Sequence, residues 1–164
     1  MTAPVRSREP DAATFRTVLG HFATGIAVVT ANDGEPVGMA CNSFTSVSLD
    51  PPLVLFCAAK DSTTYPRIQA AGRWAANFLA EDDEHVCRLF AQKDVDRFAH
   101  VAYGIGATGA PILEGALAFV DCITETEHDA GDHLIVVGRV VELGYAPEGK
   151  PLVFYRGGYG RFES

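Results

Sequence analysis

The sequence predicts a mostly β protein, an antiparallel barrel with helical insertions. Apolar, β-branched runs of four to eight residues recur along the chain. Turn signals rich in Gly, Pro, Asn and Asp separate them. Helical spacing is confined to three short stretches, so helices decorate a sheet and do not alternate with its strands. A chain of 164 residues suits one such unit with a continuous core.

The elements follow in order. Residues 1–10, with Pro4 and Pro10, are expected to form a flexible arm, and residues 11–164 the domain. Asp11 is placed to cap a helix whose Phe15, Val18, Leu19 and Phe22 follow i, i+3, i+4, i+7 spacing. Residues 26–30 read as a strand, Asn32-Asp33-Gly34 as a hairpin turn, and residues 36–43 as the returning strand. Residues 44–49 alternate bulky with small polar side chains, and the apolar run 53–58 suits a buried strand. A helix is predicted from Ser62-Thr63-Thr64, with Pro66 tolerated in its first turn, and another over residues 83–91. Further strands are predicted at residues 74–79, 118–127, 133–143 and 152–155.

Composition narrows the function. Hydrophobic residues make up 48% of the chain and charged residues 21%, as in an ordinary globular protein. A formal net charge of −8 argues against nucleic-acid binding, although a small phosphorylated ligand needs only a local cluster of donors. No apolar run is long enough to cross a bilayer, and the polar N-terminus lacks a signal-peptide core, so a cytoplasmic location is expected. The four cysteines (Cys41, Cys57, Cys87, Cys122) are widely spaced, which predicts reduced thiols and no metal site. Gly104-Ile105-Gly106 lacks the third glycine of a dinucleotide fingerprint, disfavouring a Rossmann domain. No triad order, paired-carboxylate motif or Walker sequence points to hydrolysis or phosphoryl transfer.

Four segments carry polar chemistry, each open to two readings. Residues 42–48 (Asn-Ser-Phe-Thr-Ser-Val-Ser) offer an amide, hydroxyls and strand-edge N–H groups to a heterocycle, or form a solvated edge strand. Lys60-Asp61-Ser62-Thr63-Thr64 at a helix start makes an anion pocket or an ordinary N-cap, with Lys93 and Arg97 as further cations. Gly131-Asp132-His133 aims an imidazole into a cavity or is a turn with an exposed histidine. The tail, residues 154–162, folds over a planar ligand with Tyr159 stacking and Arg161 meeting phosphate, or is a terminal strand packed on a partner.

Taken together, these segments resemble the short-chain NAD(P)H:flavin oxidoreductases, the reductase components of two-component flavin monooxygenases. The similarity begins at Phe15 with Phe-Arg-Thr-Val-Leu-Gly-His-Phe-Ala-Thr-Gly-Ile-Ala-Val-Val-Thr. It continues from Gly38 with Gly-Met-Ala-Cys-Asn-Ser-Phe-Thr-Ser-Val-Ser-Leu-Asp-Pro-Pro-Leu-Val, then through Ser62-Thr63, Asp96-Arg97-Phe98, Gly131-Asp132-His133 and the Gly-Tyr-rich end. The resemblance implies an FMN-binding split β-barrel, a homodimer, and FAD or FMN as the flavin. It implies that Thr24, Ala40, Cys41, Asn42 and Ser43 line the isoalloxazine ring, and that Ser62 and Thr63 hold flavin phosphate. Arg97 and Phe98 would lie beside the cofactor, His133 would position nicotinamide, and Tyr159 would assist it. Cys41 stands where relatives often carry Thr or another small residue.

The implied reaction is hydride transfer from nicotinamide C4 to flavin N5 within a near-attack separation of roughly 3–3.5 Å. Reduced flavin would pass to a partner monooxygenase. NADH is expected over NADPH, because no Arg pair is dedicated to a 2′-phosphate, and FAD is slightly favoured over FMN. A non-catalytic flavin carrier or sensor on the same barrel would share the Asn42-Ser43 and Ser62-Thr63 features but would not need His133. An oxidase of the pyridoxamine-phosphate type would call for a more basic phosphate pocket.

Overall fold

The computed structural model describes Pro4, Arg6, Arg8 and residues 11–163. Most of the arm expected at residues 1–10 lies outside the described residues. The chain runs α1 (Ala12–Leu19), β1 (Ala27–Asn32), β2 (Pro36–Cys41), β3 (Thr45–Leu49), β4 (Pro52–Ala59), α2 (Tyr65–Ala71) and β5 (Arg73–Phe78). It continues through α3 (Glu84–Ala91), β6 (Tyr103–Ile105), β7 (Pro111–Leu113), β8 (Ala118–Ala130), β9 (His133–Tyr145), β10 (Leu152–Tyr155) and β11 (Gly158–Arg161). Seven strands form one antiparallel sheet in the order β2-β1-β5-β8-β9-β4-β3, and β6–β7 and β10–β11 are separate hairpins. The mostly β, antiparallel prediction is thus met.

The sheet curls on itself because alternate side chains of distant strands share one core. Ala27, Val29 and Ala31 of β1 cluster with Val54, Phe56 and Ala58 of β4, and with Trp74, Ala76, Cys122 and Val136. The rings of Phe56 and Trp74 meet edge-to-face at 4.8 Å, a contact worth about 0.5–1.5 kcal/mol beyond its burial. Room for that indole comes from Gly138 of β9, where a Cβ would lie 2.3 Å from the Trp74 ring. Val28 on the opposite face of β1, and Ile26 just before the strand, join a second cluster with Val86, Cys87 and Phe90 of α3. Gly38 of β2 admits the Phe90 ring there, since a Cβ would approach it to 2.8 Å.

A buried polar tie locks the β6–β7 hairpin to the sheet. The Asn77 amide donates to the Val28 carbonyl and to Thr30 Oγ1, both at 3.1 Å, and accepts from the Leu113 N–H at 2.8 Å. Asp121, also fully buried, accepts from the Thr108 N–H and hydroxyl. All of these groups leave water on folding, so each requires its partner.

Most predicted elements fall where expected. Asp11 Oδ1 accepts from the Ala13 and Thr14 N–H groups, which is the predicted cap of α1. The Asn32 side chain accepts from the Gly34 N–H, closing the β1–β2 turn. Two features differ. The short strands β6 and β7 were not predicted, because three residues carry no periodic signal. The apolar stripe of α1 does not face its own core: Phe15, Val18 and Leu19 are more than half exposed, as is Phe22 beyond the helix end. No helix among the described residues is long and apolar enough to cross a membrane.

Asn77→Ala removes three hydrogen bonds at a site closed to water. It is expected to cost about 2–4 kcal/mol, a fall in Tm of roughly 5–15 °C by thermal unfolding. A fall below 2 °C would mean that the hairpin is held by other contacts.

Candidate active site

The site grows from the free edge of β2. On one side β2 pairs with β1, from Ala27↔Cys41 to Asn32↔Pro36; its other side has no strand partner among the described residues. In an antiparallel ladder the N–H and C=O of alternate residues point to opposite sides. The Gly38 carbonyl accepts from Arg97 Nη1 at 2.9 Å, away from β1. By the same alternation Ala40 turns its N–H and C=O to the open edge, while Cys41 turns its own to β1. The Cys41 thiol packs against the barrel core, where burial pushes its pKa up to about 11.

Ser43 secures the next stretch. Its hydroxyl accepts from the Cys57 N–H at 3.0 Å and donates to the Cys57 carbonyl at 3.2 Å, so one side chain replaces a rung of sheet between the end of β2 and β4. This fixes exposed Asn42 at the meeting of three cavities. The largest, about 930 Å³, is lined by Phe15, Leu19, Phe22, Thr24, Asn42, Ser43 and Phe154 among others. A second of about 290 Å³ shares Thr24 and Asn42 and adds Phe44 and Phe78. The third, about 190 Å³, joins Ala40, Cys41 and Asn42 to Cys87, Phe154 and Tyr159. Apolar walls with a few converging polar groups suit a planar heterocycle. One of those groups, Thr24 Oγ1, is buried and has no hydrogen-bond partner among the described residues.

Tyr159 reaches the site from β11. The β10–β11 hairpin pairs within this chain, Phe154 facing Tyr159, and is held to the α1–β1 connection by the Thr24↔Phe154 bridge. The Tyr159 hydroxyl lies 3.4 Å from Cys87 Sγ, and the Arg88 guanidinium sits 4.9 Å from its ring centroid. Arg161 is occupied elsewhere, bonding Asp82 at 2.9 Å, and is not brought to the other site residues.

A second polar group lies further along β2. Ser62 Oγ accepts from the N–H groups of Thr64 and Tyr65 two residues ahead of the cap position, which Thr64 fills without a side-chain hydrogen bond, and the Ser62 proton stays free to donate. Thr63 is exposed beside it. Arg97 Nη1 lies 3.4 Å from Thr64 Oγ1, its Nη2 donates to the Gln92 carbonyl, and its Nε is buried without a partner among the described residues. Arg97 has no ion pair among the described residues, and burial lowers its pKa from the ordinary guanidinium value. It is a half-buried cation whose hydrogen bonds go only to neutral oxygens. Phe98 packs edge-to-face on Phe90 and Tyr103, each at 5.3 Å, and so supports the Arg97 segment from beneath.

His133 opens β9, opposite Ala59 and Ala130. The Lys60 N–H bonds the Asp132 carbonyl at 3.0 Å, bringing the β8–β9 turn to the segment that leads to Ser62. His133 Nδ1 is 2.7 Å from Asp132 Oδ1, and this hydrogen bond, with the imidazole charge, holds the Asp132 carboxyl below its usual range. The carboxylate accepts, so Nδ1 carries the proton in the neutral ring and Nε2 presents a lone pair.

Sequence reasoning missed several partners. Thr64 meets Arg97, Cys87 meets Tyr159, and Glu127 of β8 takes hydrogen bonds from Tyr65 and Gln69 of α2, both at 2.7 Å. No local pattern links Glu127 to residues about sixty positions earlier. Among the described residues no group of His, Cys, Asp and Glu side chains is arranged for a metal, and all four cysteines are free.

Residues 19–163 match the model of the flavin reductase like domain, and the chain belongs to that family. A flavin reductase of Pseudomonas putida is 48% identical over 150 residues, covering 90% of this chain and 88% of its own. The reductase subunit of a flavin-dependent monooxygenase from Mycobacterium tuberculosis is 47% identical, covering 93% and 83%. The solved NADH:FAD oxidoreductase of Streptomyces globisporus superposes with a TM-score of 0.93 at 38% identity, covering 99% of this chain and all of that one.

Arg97→Met keeps the length of the side chain and removes its charge. Flavin affinity is expected to fall tenfold to a hundredfold in a fluorescence titration, about 1.4–2.8 kcal/mol. An unchanged affinity would show that the phosphate does not meet this guanidinium.

Proposed function

We propose that this chain reduces FAD or FMN with NADH and releases the reduced flavin to a partner monooxygenase. One observation carries the reading. The open edge of β2 runs between an apolar cleft at Asn42 and an unneutralised cation at Arg97, as a ring tethered to a phosphate requires. When bound, flavin supplies the ring that accepts a hydride from the nicotinamide and a proton from water, leaving NAD⁺ and reduced flavin.

The residues divide the work by chemistry. Ala40 offers its backbone edge, and Asn42 its amide, to the hydrogen-bonding rim of the ring; the Thr24 hydroxyl gains the partner it lacks. Ser43 acts through the chain, holding Asn42 in place, and Cys41 contributes backbone position, with its thiol turned to the core. Ser62, Thr63 and Arg97 hold phosphate, with Phe98 beneath them. His133 accepts a hydrogen bond from the nicotinamide carboxamide at Nε2, its tautomer set by Asp132. Tyr159 helps to wall the cleft and exclude water. None of these groups is a nucleophile, in keeping with chemistry carried by the two ligands.

The exposed stripe of α1 supports a homodimer. Phe15, Leu19 and Phe22 wall the 930 Å³ cavity, and a second copy laid on them would bury the stripe and close the cleft. The acidic chain is unsuited to nucleic acid, and a cytoplasmic site of action gives access to NADH. NADPH would serve less well, because no pair of arginines is set aside for its extra phosphate.

His133→Ala is expected to raise the KM for NADH five- to tenfold and to change the flavin KM less than twofold. Steady-state loss of nicotinamide absorbance at several flavin concentrations measures both. Unchanged NADH kinetics would remove His133 from the nicotinamide site. Wild-type protein that oxidises neither NADH nor NADPH with either flavin would instead be a flavin carrier.

A further inference from the structure

A fourth cavity, of about 480 Å³, lies beyond Arg97 on the side away from the ring cleft. Its walls are the β1–β2 turn, α2 and the segment after α3, through Glu35, Pro36, Gly38, Arg67, Asp96 and Arg97. Its size falls within the range of small-ligand sites.

The charges in this groove are graded. Arg67 is neutralised: its guanidinium forms a two-pronged pair with Asp33 at 2.6 and 2.8 Å and also donates to the Glu35 carbonyl. That clamp fixes a flat guanidinium on the groove wall, a surface on which a purine can stack. Asp96 uses one carboxylate oxygen to accept from the Ala99 N–H, leaving the other for a ligand donor. Glu35 stands exposed at the turn. The inner end therefore offers a cation without a counter-ion, and the outer wall offers acceptors and a rigid flat cation. A second phosphate would meet carboxylates there, whereas ribose hydroxyls and an exocyclic amine would find acceptors.

We infer that this groove holds the adenosine end of FAD, with both phosphates at Arg97, so that FAD is preferred over FMN. The inference rests on the flavin reductase reading above. The Arg97 guanidinium would stand at the junction of the two halves of the cofactor, beside the phosphates. FMN ends at its single phosphate and leaves the groove to water.

The test titrates wild-type protein, Val95→Trp and Glu35→Trp with FAD and with FMN by flavin fluorescence, and measures the KM for NADH with FMN as acceptor. Val95 and Glu35 line the groove from two separate segments, so one variant serves if the other fails to fold. Wild-type protein should bind FAD at least tenfold more tightly than FMN. The variants should lose tenfold or more in FAD affinity while FMN binding stays within twofold. Equal affinity of wild-type protein for the two flavins, or equal weakening of both in the variants, overturns the inference and leaves the flavin reading intact. A raised KM for NADH with FAD affinity unchanged assigns the groove to the adenylate of the dinucleotide and also overturns it. Binding of neither flavin by the wild-type protein overturns the underlying reading itself.

Discussion

A strand at the edge of a sheet leaves one row of N–H and C=O groups without partners, and β2 is such a strand on the side away from β1. Everything at the site follows from how that row is treated. Another strand laid against it would have closed the barrel and removed the cleft. Instead, one side chain, Ser43, bonds both polar groups of Cys57 and draws the end of β2 toward β4 without covering the edge. Arg97 takes the Gly38 carbonyl at the other end. Between these two ties the backbone at Ala40 stays open, and the apolar cavities gather around Asn42.

The same economy governs charge. The chain carries a net −8, and two nearby cations are tied to carboxylates: Arg67 of α2 to Asp33, and Lys60 in the turn after β4 to Asp129. Arg97 differs because its partners are carbonyl and hydroxyl oxygens, which satisfy donors without cancelling charge. Arg97 is thus a half-buried guanidinium whose place is set by bonds to backbone carbonyls. His133 is arranged by a similar principle, its ring oriented by the neighbouring Asp132 carboxylate, whose pKa that hydrogen bond lowers.

Much of this was legible in the sequence, for physical reasons that differ by element. The strands around Val28, Phe56 and Val136 announce themselves by β-branched and aromatic runs, and the Asp11 cap and the Asn32 turn by side chains suited to those geometries. The β6–β7 hairpin left no such trace, since it is held by Asn77 and Asp121, whose contacts are tertiary. The bulges between Asp121 and Cys122 and between Thr124 and Thr126 break the alternation that would have shown the full length of β8. At the site, the motif from Gly38 to Val54 located the cleft but not the direction of its side chains. The Cys41 thiol and the Ser43 hydroxyl both turn to the protein, and the Tyr159 hydroxyl to Cys87. Those directions depend on register and on helix packing, which no short window contains.

If the open edge of β2 is the surface that receives flavin, hydrogen exchange reads it directly. Exchange at peptides spanning residues 37–43 should slow strongly when FAD is added, because the exposed N–H at Ala40 gains an acceptor. The other sheet edge, at β3, should change little. Protection elsewhere with no change across residues 37–43 would contradict the account.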